Sequence, residues 1–287
     1  MAKGQYIEDD VIALLDDVCP HGRGFLAMLK VYLDLGRKYD ADASDGIVSV
    51  ACVIFKPTRY KQFVRPWERM LKPWGAKAFH ATDFYPGGGE FKRDTPERCK
   101  LYDDDSKRIP GMIGGYLQRA LVVSFRPEEF NQVASPRWKQ KFGTSVHSHA
   151  VQLMVISNGW WRLDHCKHER LAYFMETGDD AQGEVVATVQ RMRHDEETGT
   201  GNLVGISSFT PIDKGKARGL EAADFVAWHW NKYYMDKLRR GDDQDPRKDF
   251  RAFAEVVGGK KFKQIMATGE KLKYFFSRVP NSVLEGE

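Results

Sequence analysis

The strongest constraint on this chain comes from two apolar runs separated by a polar, turn-rich segment. "MLKVYLD" (28–34) and "GIVSVACVIF" (46–55) read as strands, and "LGRKYDADASD" between them predicts an antiparallel hairpin. "RALVVSF" (119–125) reads as a third strand. Beyond it the pattern changes to alternation: "HAVQLMVISNGWWRLD" as helix, "RLAYFMET" as strand, "AQGEVVATVQRMRHDEE" as helix and "NLVGISSF" as strand. A helix over "KARGLEAADFVAWHWNKYY" (216–234) follows. Strands that pair as neighbours, followed by alternating helix and strand, predict an α/β fold with a mixed sheet flanked by helices.

The remaining segments fit around that frame. Residues 5–17 predict a short amphipathic helix carrying Ile7, Val11, Leu14 and Leu15, so 1–24 is expected as a helical extension of a main domain over 25–240. A helix is expected near "YKQFVRPWERMLKPWG", with Pro66 at a start or a kink. "AKAFHATDFYPGGGEF" reads as an irregular, mobile loop because of its three consecutive glycines. "TPERCKLYDDDSKRIPGMIGGYLQ" reads as a helix interrupted at Pro110, and 241–287 as a mostly helical tail.

Composition decides the broad class. With 42% hydrophobic and 12% aromatic residues the 287-residue chain is globular rather than disordered. A balance of 44 basic to 40 acidic residues is no nucleic-acid signature by itself, so only a local basic patch can argue for one. Four dispersed cysteines (Cys19, Cys52, Cys99, Cys166) suit a reducing, cytoplasmic setting. Acids near the N-terminus argue against a signal peptide. No apolar run approaches the roughly 20 residues that span a bilayer, so no membrane association is expected.

Three carboxylates fall where α/β folds gather chemistry, at strand ends and helix starts. Asp34 ends the first strand, Glu176 ends "RLAYFME", and Asp224 lies in the late helix near Glu221. Acids brought together there need a cation, and oxygen donors of this kind suit Mg²⁺ or Mn²⁺. Each also has an ordinary structural reading: Asp34 as a turn residue, Glu176 before a surface turn, Asp224 in an ion pair with Lys216 or Arg218.

The pattern resembles the bacterial and phage domain-of-unknown-function family 3800. "VYLDLG" resembles its opening strand, which usually ends Asp-Glu-Ser-Gly, and "FHATDF" its histidine-bearing loop with His80 and Asp83. "YFMETGD" is similar to its strand ending in Glu, and "RGLEAADFVAW" to its late Leu-Gln-Ala-Ala-Asp helix. The resemblance implies a ribonuclease-H-like fold, with three antiparallel strands extended by parallel ones. It further implies a metal-dependent nuclease cutting DNA or RNA, with Asp34, Glu176 and Asp224 binding Mg²⁺ or Mn²⁺ and His80 assisting. Asp83 and Glu221 stand beside them as supporting or substitute ligands. The family's distribution suggests a phage, mobile-element or defence setting. The chain departs from the pattern at Leu35, where the family has Glu, and at Glu221, where it has Gln.

Basic residues interleaved with aromatics supply an expected nucleic-acid face: Arg137, Trp138, Lys139 and Lys141 in "PRWKQKFG", Phe262 in the tail, and Lys214 and Lys216 ahead of the late helix. Other chemistries are weaker. His147, His149, His165 and His168 with Cys166 lack a closed zinc set, no GxSxG elbow occurs, and the glycine run has no following Lys-Ser/Thr. Two rivals remain: a scaffold that binds nucleic acid or a protein partner without cutting, and a hydrolase of small phosphate esters.

Overall fold

A computed structural model of the chain describes residues 28–36, 46–178, 181–199, 204–240, 247–267 and 270. The expected helix over 5–17 lies outside these residues. Six strands form one mixed sheet: β1 (Met28–Gly36), β2 (Val48–Phe55), β3 (Arg119–Phe125), β4 (Arg170–Glu176), β5 (Ile206–Ile212) and β6 (Phe262–Ala267). Their order is β5-β4-β1-β2-β3-β6. The pairs β1–β2 and β2–β3 are antiparallel, whereas β1–β4, β4–β5 and β3–β6 are parallel. The mixed sheet is as expected, with three antiparallel strands continued by parallel ones on the β1 side.

The strands of the sheet centre are buried on both faces, as their near-continuous apolar runs require. Side chains alternate between two cores. Tyr32, Ala51, Val53 and Phe55 belong to one face, under α1 (Pro57–Leu71), α3 (Pro96–Tyr116), α8 (Arg218–Arg240) and α9 (Lys248–Lys261). Leu33, Leu35, Cys52 and Ile54 belong to the other, under α6 (Val146–His165) and α7 (Gln182–Glu197), with the short α4 (Pro127–Val133) and α5 (Pro136–Phe142) at one end. In α1 the buried Tyr60, Phe63, Trp67 and Met70 recur every three or four residues, which forms one helical stripe.

Three expectations change. Pro110 does not interrupt α3: the helix runs from 96 to 116 with Pro110 buried inside it. Proline removes one backbone hydrogen bond, and the packing of Ile109 and Ile113 on either side holds the helix through it. The fifth strand begins at Ile206 rather than 202, because Gly205 at φ 71° breaks the extended run. The tail is not simply helical, since β6 joins the free side of β3 and α9 buries Phe250, Phe253 and Val257 in the first core.

One close approach sets where α8 lies. A Cβ on Gly219 would overlap the Tyr32 ring, so the start of α8 rests directly on β1. That ring cannot retreat, being stacked between Tyr60 and Phe174 at 5.1 and 5.2 Å, with Phe55 edge-on. Gly219→Ala is expected to lower stability by about 3 kcal/mol, the upper range for overpacking. Urea unfolding midpoints of the two proteins check this, and an unchanged midpoint would show that α8 can lift off β1 without cost.

Candidate active site

The first two site residues come together through strand register. Leu33 of β1 lies beside Met175 of β4, and one step further brings Asp34 beside Glu176, the last residue of β4. β1 itself does not end at Asp34 as expected but runs on to Gly36, because Leu35 and Gly36 still pair with β2. Neighbouring strands are about 4.8 Å apart, so these carboxylates share one edge of the site. Asp34 is opposite Ala51, and Glu176 follows Phe174 by two residues, so both point to the face that α8 covers. Asp34 is buried and Glu176 partly so.

Asp224 approaches from above. It lies five residues beyond Gly219 on α8, is buried, and its Oδ2 accepts the Ala81 N–H at 3.0 Å. Ala81 opens the short helix α2 (Ala81–Phe84), whose N-cap is His80. Asp224 therefore anchors the backbone next to His80, and His80 is itself partly exposed. The ion pairs weighed for Asp224 go elsewhere: Lys216 bonds Asp213 at 2.7 Å, and Arg218 bonds Glu221 at 2.6 Å.

Glu221 has a different role from the substitute ligand expected of it. It is fully buried, and Oε2 accepts from Trp67 Nε1 at 2.6 Å and the Phe79 N–H at 2.9 Å. Oε1 takes Arg218 Nη1, which also donates to the Lys77 carbonyl at 2.8 Å. Both oxygens are thus committed to protein donors. Together Arg218, Glu221 and Asp224, spaced three residues apart on one flank of α8, hold alternate residues of the 77–81 backbone. Sequence reasoning missed Trp67, Phe79 and Arg218 as partners, although the i,i+3 spacing of Arg218 and Glu221 was the available signal.

Burial pushes Glu221 from the ordinary 4.5 up to about 7, against the pull of Arg218, Trp67 and the Phe79 N–H. Between about pH 4.5 and 7 the unfolded chain has released this proton while the folded one keeps it. Folding then takes up a proton, and stability falls as pH rises through that window, levelling above about 7. The size is on the order of 3 kcal/mol. Urea unfolding of the native chain and Glu221→Gln from pH 4 to 8 checks it: the native chain should lose stability relative to the variant, and parallel curves would refute the assignment.

The glycine-rich loop is a compact turn rather than an irregular one. The Asp83 carbonyl accepts the N–H groups of Gly87 and Gly88 at 3.0 and 2.7 Å, and Gly87 and Gly89 adopt φ 80° and 52°. Arg93 Nη2 ties the turn to the carbonyls of Phe84 and Tyr85. Asp83 thereby shapes the loop that carries His80.

Leu35 faces away from Asp34. Strand alternation places it, buried, in the opposite core, so it and Asp34 do not share a face. Glu221 cannot stand in for an acid there, because it belongs to the α8 side. Among the described residues no three His, Cys, Asp or Glu side chains form a group that could hold a metal. Two of the histidines weighed for zinc are engaged otherwise: His149 is buried against Trp138 and the Gly143 carbonyl, and His165 bonds the Trp161 carbonyl.

The expected nucleic-acid face is also revised. Trp138 is 3% exposed and packs in the second core, so its ring is not open to a base. Lys139 bonds Asn131, and Lys216 is paired with Asp213. Phe262 packs among Trp230, Phe250 and Phe253. The side chains of Arg137, Lys141 and Lys214 lie outside those described.

No protein-family model and no curated protein matches the chain. Among solved structures it is similar to the ribonuclease H2 from Pyrococcus horikoshii OT3, at 10% identity and a TM-score of 0.37, covering 88% of this chain and all of that one. It is also similar to a mutant protein of Bst-RNase HIII, at 13% identity and a TM-score of 0.38, covering 86% of this chain and 65% of that one. No described helix is long and apolar enough to cross a membrane.

Proposed function

We propose that the chain is a metal-dependent nuclease of the domain-of-unknown-function family 3800 type, hydrolysing phosphodiester bonds in DNA or RNA. One observation carries the reading: Asp34, two residues before the end of β1, and Glu176, at the end of the adjacent parallel β4, lie on the face that α8 covers, and Asp224 lies on that helix. Asp34, Glu176 and Asp224 are the carboxylates that would hold Mg²⁺ or Mn²⁺, which prefer such oxygen donors, although among the described residues they are not gathered into a metal-holding group. When bound, such a cation activates water and neutralises charge on the phosphodiester. His80 is the proton carrier, since it stands at the N-cap of the helix that Asp224 anchors and is partly exposed. Glu221 and Asp83 hold the His80 segment in place.

The test is incubation of the protein with labelled single-stranded and duplex DNA, RNA and hybrid, in Mg²⁺, Mn²⁺ or EDTA. Metal-dependent cleavage of one of them is the expected result, and no cleavage of any sinks the reading. The burial of Leu35 in the opposite core favours one alternative, a scaffold that binds nucleic acid without cutting. It predicts binding of the same substrates with no product in any metal.

A further inference from the structure

A groove of about 490 Å³ opens between α3 and the start of α9, within the range of small-ligand pockets (roughly 300–1,000 Å³). It is lined by Tyr85, Tyr102, Ser106, Lys107, Arg247 and Lys248, among others. Lys107, Arg247 and Lys248 are exposed, and among the described residues none of the three forms an ion pair with a carboxylate. Three cations therefore converge on one cleft with two aromatic rings and a hydroxyl in its wall. Such a lining suits a ligand that is anionic at one end and aromatic at the other.

The groove is tied to the acid site by covalent structure and stacking. Tyr85 follows α2 directly, five residues after His80, and its ring stacks on Trp228 at 4.4 Å. Trp228 is one helical turn beyond Asp224, about 6 Å along α8. The Arg247 guanidinium lies 5.1 Å from the Trp228 ring centre, and that of Arg93 covers Tyr102 at 3.3 Å. Tyr85, and Arg247 through its contact with Trp228, are thus tied to the elements that carry His80 and Asp224, whereas Tyr102 and Lys107 come from α3 and Lys248 from α9.

We infer that this groove holds a flanking nucleotide of a single strand whose scissile bond lies at the acids. The phosphate meets Lys107, Arg247 and Lys248, and the base packs along the partly exposed Tyr102, while the buried Tyr85, stacked on Trp228, only closes the wall behind it. A cleft of this size takes one unstacked nucleotide and not a duplex. The inference rests on the nucleic-acid reading of the acid site, and it adds the strand type and the path.

Fluorescence anisotropy of a short labelled single strand, in EDTA so that nothing is cut, tests it. The triple variant Lys107→Ala, Arg247→Ala, Lys248→Ala is expected to bind at least about tenfold more weakly. Its slope of log affinity against log salt should be shallower by roughly 0.7, because the three cations meet one phosphate. An equal-charge control, Lys167→Ala, Arg193→Ala, Lys263→Ala, removes exposed cations elsewhere and should stay within about twofold of the native chain. Equal losses in both triples, an unchanged groove variant, tighter binding of duplex, or binding of AMP but of no strand each overturns the proposal. Cleavage by the native chain with an unchanged groove variant sinks the groove alone. Groove-dependent binding with no cleavage in any metal keeps the groove and sinks the nuclease.

Discussion

Asp34→Asn is expected to lower metal-dependent phosphodiester hydrolysis about a thousandfold while leaving the fold intact. A bound cation contributes several kcal/mol of charge stabilisation in such reactions, and each 1.36 kcal/mol is tenfold in rate. Asparagine keeps the shape of the side chain and removes its charge. The register of β1 between β2 and β4 is made by backbone groups, so the strand itself is not disturbed. Asp224→Asn is expected to lose a similar factor, because an amide oxygen can still accept the Ala81 N–H and keep the His80 segment anchored. Cleavage rates at saturating Mn²⁺, with circular dichroism and thermal melting alongside, make the measurement. Undiminished hydrolysis by both variants removes these acids from the reaction.

The second large effect falls on stability. Glu221→Ala should cost about 3–5 kcal/mol, the range for breaking a buried ion pair by removing one partner. The change leaves the Arg218 guanidinium without its 2.6 Å partner in a site where Arg218 is 8% exposed. It also strips the Trp67 and Phe79 N–H groups of their acceptor. The Glu68 carboxylate, 3.6 Å from Arg218 Nε, offers only partial compensation. Glu221→Gln retains a carbonyl oxygen and should cost clearly less. Urea denaturation of the three proteins at pH 8, above the value of about 7 to which Glu221 is raised, orders them, and an alanine variant as stable as the native chain would show that the network carries no stability.

The two predictions divide acids that look alike in the sequence. Glu221 and Asp224 are one turn apart in "RGLEAADFVAW", and nothing in their spacing says which serves the fold and which the site. Both accept backbone N–H groups from the 79–81 segment. What separates them is burial. Glu221 is fully enclosed, with Trp67, Phe79 and Arg218 donating to its two oxygens, while Asp224 stays 7% exposed.

Much of the architecture was legible because it rests on local patterns. The strands at 28, 48, 119 and 170 and the helices at 57, 146, 182 and 218 stand close to where periodicity puts them. The misses all come from interactions distant in sequence. Pro110 stays helical because its neighbours are packed, and β6 forms because the outer side of β3 offers it a partner. Trp138, which reads as an exposed stacking residue in a basic run, is buried by helix α6 through His149.

Short windows of sequence were enough for most element types and the mixed character of the sheet. Those follow from side-chain period and chain punctuation, which are local properties. Packing settled which acids share a face, that Leu35 turns its back on Asp34, and that Glu221 is held by Trp67, Phe79 and Arg218. It also placed Lys107 and Arg247, 140 residues apart in the chain, along one groove. Register and packing bring distant residues within ångströms of one another, and no local pattern carries that information.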